Sequence, residues 1–276
     1  MHSIKADDLR LGEVLGEGNN GKVFKARWHT KDVAVKEIFV QNINKSTDYE
    51  IRELSRANHE NIVFLHGTAI KDNTLYLVME LVDGGSLENL IYSEQIIYEI
   101  AHVINWALQI AKGIQYMHSK KLIHRDIRPY HILLCDSYRH VKICEFSFAR
   151  SLSASMTNNK GTATYMAPEV FIGKKYTEKC DVYSYAITLW EMLSRVKPYN
   201  SYDMNLKISK AVLDGERPSL DDINISCPEK IKKLLTSCWS ADPNERYSMT
   251  QIIDVLSEYP IVVEQLSLQK KMSTLE

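Results

Sequence analysis

The sequence has few of the features that mark secreted, membrane-spanning or nucleic-acid-binding proteins. Its five cysteines are an odd number without a C-x-x-C pair, which excludes a dense disulfide framework and the usual spacing of a zinc site. The 34 lysines and arginines balance 35 aspartates and glutamates, so we expect no strongly basic surface for nucleic acid. The chain has no apolar run near the roughly 18 residues that a membrane span needs.

The first ten residues, MHSIKADDLR, also lack two targeting signals. They contain no apolar core of a secretory signal peptide, and His2 stands where N-myristoylation requires a glycine. We therefore expect a cytoplasmic protein whose cysteines are free thiols and whose partners include neither a membrane nor a nucleic acid.

The 276 residues suffice for one large folded unit or two lobes, and 45 % of them are hydrophobic. Dense β-branched and aromatic residues predict strands at 11–15, 22–28, 33–39 and 74–81. Apolar residues recurring from Ile104 to Met117 predict an amphipathic helix that ends near Ser119. Residues 181–194 are apolar nearly all round and predict a helix inside a large core; residues 231–239 and 249–256 predict two more helices. The pattern indicates an α+β fold, with a β-rich lobe joined through a short glycine-containing hinge to a helical lobe.

One helix is expected within the β-rich lobe, at residues 46–58. Thr47 and Glu50 have the spacing of a capping box, and Ile51 and Leu54 would share one face.

A glycine-rich segment from Gly16 to Val23 matches the pattern G-x-G-x-x-G-x-V. In dinucleotide-binding proteins such glycines open a helix, and an acidic residue follows about 20 positions later. Here they lead into a second strand, and Lys36 stands 15 positions after Gly21. A glycine-rich turn between strands can bring its backbone close to a triphosphate while a lysine neutralises the α- and β-phosphates. An ordinary glycine-rich hairpin is the alternative.

Residues 123–134, IHRDIRPYHILL, carry the most specific pattern. They follow the predicted long helix and are close to the HRDLKPxN catalytic loop of protein kinases. Glu145-Phe146-Ser147 begins 19 residues after Asp126, at the place of the DFG motif, and Glu169 closes the sequence MAPE 24 residues after Glu145. On these motifs the chain resembles protein kinases from about residue 8 to residue 258.

The resemblance is strongest to the TGF-β-activated kinases, in the tyrosine-kinase-like group of MAP kinase kinase kinases. Fragments such as WHTKDVAVKEI, LVMELVDGGSLENL and MTNNKGTATYMAPEVF carry it. It implies a bilobal kinase fold with an N-lobe at 8–79, a hinge at 80–84, a C-lobe at 85–258 and a short extension at 259–276. It also implies an ATP-dependent serine/threonine kinase whose protein substrate is a MAP kinase kinase. Gly161-Thr162 and the basic residue two positions after Asp126 fit serine/threonine rather than tyrosine specificity.

The resembled family also uses accessory activator proteins, partly through a long C-terminal region. Only 18 residues follow position 258. We therefore expect partners that need such a region, and a separate regulatory domain, to be absent, whereas surfaces of the catalytic domain remain open to others.

The resemblance implies chemical roles for four residues. Lys36 would hold the α- and β-phosphates and pair with a helical glutamate, for which Glu50 is the match and Glu53 the alternative; Glu50 could instead merely complete its capping box. Asp126 would be the catalytic base that accepts the hydroxyl proton. Arg128 stands where the family's lysine contacts the γ-phosphate, and it keeps the charge in a broader fork.

Other matches imply nucleotide contacts and structural roles. Met79 would be the gatekeeper, and the backbone of residues 80–82 would contact adenine. His124 and Asp181 would anchor the catalytic loop, and Glu169 would pair with Arg246. The residues implied to bind nucleotide are Leu15, Gly16, Glu17, Gly18, Asn19, Asn20, Gly21, Lys22, Val23, Ala34, Lys36, Met79, Glu80 and Val82.

Two positions that hold metal ions in the family are altered. The asparagine of the catalytic loop is His131 and the aspartate of the DFG motif is Glu145, while Ser147 replaces the glycine. Mg²⁺ demands near-octahedral oxygen coordination, whereas glutamate is one methylene longer and an imidazole nitrogen suits manganese or zinc better. Two hypotheses remain: a serine/threonine kinase with weakened transfer, using ATP with Mg²⁺ or preferably Mn²⁺, or a pseudokinase that binds nucleotide or scaffolds active relatives. Lys36 and Asp126 favour the first, and His131 and Glu145 favour the second.

The segment between the DFG-like and MAPE motifs is rich in hydroxyl groups. Phosphate there could pair with Arg125 and order the segment, and Thr157 matches an activation-loop threonine of the resembled family. A solvated polar loop is the alternative. The candidate residues are Ser151, Ser153, Ser155, Thr157 and Thr162.

Overall fold

The amino-terminal part of the chain is built on an antiparallel sheet. A computed structural model describes residues 3–18, 21–39, 51–52, 54–145, 150–151, 163–174 and 176–260. Within these residues the first five strands form one sheet in the order β1-β2-β3-β5-β4. The strands are β1 (Leu9–Gly18), β2 (Gly21–Trp28), β3 (Lys31–Phe39), β4 (Leu65–Lys71) and β5 (Thr74–Glu80).

Tight turns join the strands of this sheet. Asp72 and Asn73, between β4 and β5, have φ of +48° and +63°, the backbone of a primed hairpin turn, whose twist matches that of the strands. Gly21 begins β2 with φ of +127°, and a β-carbon there would lie 1.8 Å from the backbone oxygen of Glu37. Only glycine fits at that position, so steric exclusion of a side chain explains the glycine at this place in the glycine-rich segment.

The central strands β3 and β5 are buried on both faces. Val33 and Val35 pack with Val78 on one side, and Leu77 packs with Ile38 on the other. The register places Lys36 between Val23 of β2 and Leu77 of β5. The sheet thereby holds Lys36 on a rigid strand.

The rest of the described chain is mainly helical. The helices are α1 (Leu87–Ile91), α2 (Ile100–Ser119), α3 (Pro168–Phe171), α4 (Lys179–Ser194), α5 (Asn205–Leu213), α6 (Glu229–Cys238) and α7 (Met249–Ser257). Two short antiparallel pairs join them: β6 (Leu122–Ile123) with β9 (Arg150–Ser151), and β7 (Ile132–Cys135) with β8 (His140–Ile143). This arrangement confirms the bilobal α+β fold.

Helix α4 is the centre of the helical core. Every residue from Cys180 to Ser194 is buried, including Asp181 and Glu191. Helix α2 packs one face against α4 and α7 and ends at Ser119 as predicted. Within the described chain, no helix is both long and apolar enough to cross a membrane.

The predicted elements are largely observed. The four predicted strand runs and the helices expected at 181–194, 231–239 and 249–256 all appear, with ends shifted by a few residues. β4 was not predicted because its sequence, LHGTAIK, is short and contains a glycine. Most of the helix expected at 46–58 lies outside the described residues.

Candidate active site

A buried carboxylate anchors the catalytic loop from below. Asp181, near the start of α4, accepts hydrogen bonds at Oδ2 from His118 Nε2 and from the backbone N of His124, both at 2.9 Å. Its Oδ1 accepts from the backbone N of Arg125 at 2.8 Å. Burial acts to raise the pKa of Asp181, but the hydrogen bond and charge of His118 outweigh it, so the pKa lies below its usual value. These contacts confirm the anchoring role expected for Asp181.

His124 extends this network towards the space between the glycine-rich strands β1 and β2 and the catalytic loop, which is called the cleft below. Its buried ring accepts at Nδ1 from the backbone N of Asp126 at 3.3 Å and donates from Nε2 to the backbone oxygen of Cys144 at 3.1 Å. Burial lowers the pKa of His124, which favours the neutral ring that this pattern requires. One imidazole therefore ties the catalytic loop to the residue before Glu145, and its expected structural role is confirmed.

Asp126 and His131 form a close pair on the floor of the cleft. Asp126 is 4 % exposed. His131 Nδ1 donates to the backbone oxygen of Asp126 at 3.0 Å and lies 3.2 Å from its Oδ2. An asparagine side chain could make such a bond and still offer an oxygen to a metal, whereas an imidazole has no oxygen. His131 thus hydrogen-bonds the backbone of Asp126 and lies within ion-pair distance of its carboxylate.

Lys36 and Glu145 pair across the cleft. Lys36 is 6 % exposed, and its Nζ lies 3.1 Å from Oε2 and 3.3 Å from Oε1 of Glu145. Glu145 adopts φ of +66°, in the left-handed region that non-glycine residues seldom occupy. Both oxygens of the Glu145 carboxylate therefore face the ammonium group that was expected to hold phosphates.

The glycine-rich hairpin forms the roof of the cleft. Gly16 pairs with Val23, Glu17 with Lys22, and Gly18 with Gly21 across β1 and β2. On the neighbouring strands Ala34 pairs with Met79. Leu15 is about half exposed at the outer edge of β1. The structure thus places these predicted nucleotide-binding residues on adjoining strands.

The hinge is tied to the helical part through a side chain. Glu80 is the last residue of β5. Its carboxylate accepts a hydrogen bond from the backbone N of Phe64 at 2.7 Å and forms an ion pair with Lys142 Nζ of β8 at 2.8 Å. Val82 is the second residue after β5. The Glu80 side chain therefore links the end of β5 to the backbone of Phe64 and to β8.

Arg128 stands beside Tyr130, a residue that sequence reasoning missed. The guanidinium Cζ of Arg128 lies 5.0 Å from the centroid of the Tyr130 ring. The phenol oxygen of Tyr130 lies 4.0 Å from the position that a β-carbon of Gly16 would take. In the sequence Tyr130 is marked only by its place between Pro129 and His131 in the catalytic loop, and no motif or spacing rule assigns a function to that place.

Glu169 and Arg246 form the expected ion pair. Nη1 and Nη2 of Arg246 donate to Oε1 and Oε2 of Glu169, both at 2.8 Å, and both side chains are buried. This two-pronged geometry confirms the predicted pair and links the residues after the activation segment to the end of the helical core.

A second buried acid was not predicted. Glu191 of α4 accepts hydrogen bonds from the hydroxyls of Tyr92 and Tyr165, the latter at 2.7 Å. Burial raises the pKa of Glu191 to about 7, although both hydrogen bonds act to lower it. The carboxyl group therefore joins α1, the segment before α3 and the core helix.

Several predicted residues lie outside the described part of the chain. The pairing of Lys36 with Glu50 or Glu53, and a phosphorylated activation segment, stay predictions. The residues concerned are Asn19, Asn20, Thr47, Glu50, Glu53, Ser147, Ser153, Ser155, Thr157 and Thr162.

The resemblance to protein kinases implies a divalent metal at His131 and Glu145, but these side chains do not fit Mg²⁺. The carboxylate of Glu145 faces Lys36, and His131 offers a nitrogen where Mg²⁺ needs oxygen. Within the residues that the structure describes, no three His, Cys, Asp or Glu side chains come together as a metal site. The donor set of the cleft and the implied magnesium therefore disagree.

Comparison with known proteins gives a consistent result. A family model described as protein tyrosine and serine/threonine kinase matches residues 9–256. Mitogen-activated protein kinase kinase kinase 7 of Drosophila melanogaster is 44 % identical over 259 residues, which cover 92 % of this chain and 38 % of that protein. The protein of the same name from Homo sapiens is 43 % identical over 263 residues, covering 93 % and 43 %.

A third relative is nearer in length. The putative mitogen-activated protein kinase kinase kinase 7-like protein of Drosophila melanogaster is 38 % identical over 260 residues, covering 91 % of this chain and 66 % of that protein. The chain thus spans less than half the length of the first two relatives and about two thirds of the third.

Proposed function

The chain belongs to the protein tyrosine and serine/threonine kinase family, and we propose that it is an ATP-dependent serine/threonine kinase whose transfer is slow. The pair of Asp126 and His131 carries this proposal, because a buried carboxylate with an imidazole nitrogen 3.2 Å from its Oδ2 is suited to accept a hydroxyl proton. The matched relatives are named as kinases of MAP kinase kinases. We therefore propose a MAP kinase kinase as the protein substrate.

The reaction is an in-line phosphoryl transfer. The serine or threonine oxygen of the substrate bonds to the γ-phosphorus as the bond to the β,γ-bridging oxygen breaks, ADP leaves, and the hydroxyl proton passes to Asp126. Lys36, held on β3, neutralises phosphate charge beneath the glycine-rich roof. Arg128 lies two residues from Asp126 and adds a second cation on the floor.

The slow rate follows from the two altered positions. The family implies ATP and a divalent metal, but Glu145 and His131 direct their polar atoms to Lys36 and Asp126. Misplacing a reacting group by 1 Å can cost about 10²-fold in rate. Transfer should therefore lie well below that of a kinase with aspartate and asparagine at these positions.

The same contacts favour a second candidate function, a pseudokinase that binds nucleotide or scaffolds active relatives. In this candidate the ion pair between Lys36 and Glu145 stabilises the cleft instead of positioning phosphates. The free state of all five cysteines supports a reducing, cytoplasmic setting for either candidate. An accessory activator that binds the catalytic domain itself is compatible with both.

Phosphate transfer distinguishes the two candidates. The chain is incubated with γ-labelled ATP and either a generic protein substrate or a catalytically inactive MAP kinase kinase, in Mg²⁺, in Mn²⁺ and in chelator. We expect weak transfer that Asp126→Asn abolishes. Equal signals from the wild type and Asp126→Asn would exclude the kinase proposal, and binding of a fluorescent ATP analogue would then support the pseudokinase.

A further inference from the structure

An aromatic side chain of the catalytic loop reaches towards Gly16 of the glycine-rich strand β1. Tyr130 rises from the catalytic loop, and its phenol oxygen lies 4.0 Å from the position of a β-carbon on Gly16 in β1. Tyr130 is 42 % exposed, so the residue borders solvent and is not buried in the interior. A nucleotide between the glycine-rich roof and the catalytic loop would lie behind this ring.

The neighbours of Tyr130 hold the ring in place. Pro129 opens the short 3₁₀ turn Pro129–His131, which restricts the backbone. Arg128 Cζ lies 5.0 Å from the ring centroid on one side. The His131 ring lies at 5.3 Å with an interplanar angle of 66°, an edge-to-face contact. Because Arg128 and His131 both contact the ring, these contacts restrict its rotation.

We propose that Tyr130 retains nucleoside di- and triphosphates in the cleft. Its ring closes the rim between the catalytic loop and Gly16, so that a bound nucleotide leaves only after the ring swings aside. The inference rests on the nucleotide site of the proposed function and adds a determinant of the nucleotide exchange rate. It requires no metal ion and no transfer step, since it concerns only entry and release.

The dissociation rate of a fluorescent N-methylanthraniloyl ATP, chased with excess ATP, tests the proposal. Opening the rim breaks one cation–π contact and one edge-to-face contact, so we expect Tyr130→Ala to speed dissociation about tenfold. Tyr130→Phe keeps the ring and should change the rate by no more than about threefold. Tyr202→Ala removes a tyrosine whose hydroxyl bonds Glu216 away from the cleft and serves as the matched control.

A second residue makes the test specific to the contact across the rim. Gly16→Ala would place a methyl group 4.0 Å from the phenol oxygen, an ordinary van der Waals distance. We expect it to slow dissociation in the wild type and to have no such effect in Tyr130→Ala. That non-additivity is the signature of direct coupling between the two positions.

The outcomes separate this proposal from the proposed function. If the wild type binds the analogue but Tyr130→Ala releases it at a rate within about twofold, or if the two substitutions act additively, the retaining role is wrong and the nucleotide site stands. If the wild type does not bind while Tyr130→Ala does, the ring is a plug and retention is wrong. If neither binds at millimolar concentration, the nucleotide site and the retaining role are both wrong.

Discussion

The catalytic loop has a buried side and a cleft side, and they are built from different chemistry. On the buried side Asp181 receives three hydrogen bonds, one from the ring of His118 and two from the backbone N atoms of His124 and Arg125. On the cleft side His131 binds Asp126, and Glu145 binds Lys36. The buried side keeps the residues that the resemblance implies, whereas the cleft side replaces both metal-binding ones. The hydrogen bonds that position the catalytic loop are thus present although both metal-binding residues are replaced.

Asp181→Asn should give the largest effect, because it acts on the buried side. The amide keeps the shape but removes a charge that three donors share, and it turns an N–H group towards them. Removing one partner of a buried charged network costs about 3–5 kcal/mol in the free energy of unfolding. Urea unfolding followed by circular dichroism measures the change.

Asp203→Asn is the matched control for Asp181→Asn. Asp203 makes an exposed pair with Lys207 at 2.7 Å, so its substitution should leave the unfolding curve unchanged. A similar loss in both variants would mean that the buried side has no special role.

Glu191→Gln tests the second buried acid of α4. The contribution of Glu191 to the free energy of unfolding should fall as pH rises, which is the opposite of the pH dependence expected for Asp181. Because the pKa of Glu191 is about 7 in the folded state against an ordinary value of 4.5, its stabilising contribution is complete below pH 4.5 and is lost as pH rises through 7. A shift of this size corresponds to about 3 kcal/mol. Relative to wild type, the variant should therefore gain about that much between pH 5 and pH 8.

The quantity to measure is the difference in the free energy of unfolding between the wild type and Glu191→Gln, because the contribution of His124 to stability changes with pH in the other direction. Burial lowers the pKa of His124, so its own contribution to stability grows as pH rises towards 6.5 in both proteins. Parallel stability curves for the wild type and Glu191→Gln would show that Glu191 does not titrate in this range.

Restoring the cleft side should raise activity without stabilising the fold. We expect His131→Asn with Glu145→Asp to increase phosphate transfer in Mg²⁺ about 10²-fold, or about 2.7 kcal/mol, because asparagine supplies an oxygen donor and aspartate shortens the carboxylate side chain by one methylene. The readout is labelled phosphate on an inactive MAP kinase kinase. Adding Asp126→Asn to the restored chain should remove the gain. Unchanged transfer in the restored chain would show that metal geometry is not the defect.

The two sides of the loop also differ in how far sequence reasoning reached. The resemblance to protein kinases implied Asp181 as an anchor and the pair of Glu169 with Arg246, because both positions match the order of the family's motifs, while the apolar pattern of residues 181–194 predicted only the buried helix. The pairing of Lys36 with Glu145 joins residues 109 positions apart and depends on how far a longer side chain reaches across the cleft. Tyr130 was missed for the same reason, since only the folded chain brings it to Gly16.

The smallest effect is expected where the hinge meets the cleft side. Lys142→Gln breaks the pair with Glu80, whose side chains are 19 % and 25 % exposed, but leaves the Glu80 carboxylate its bond from the backbone N of Phe64. A partly exposed ion pair contributes about 1 kcal/mol or less, and added salt weakens it. Urea unfolding at low and high NaCl should show a small loss that shrinks with salt, while Lys207→Gln shows none. If Lys142→Gln lowered the free energy of unfolding as much as Asp181→Asn, contacts on the cleft side would stabilise the fold as strongly as those on the buried side. The difference drawn between the two sides would then be wrong.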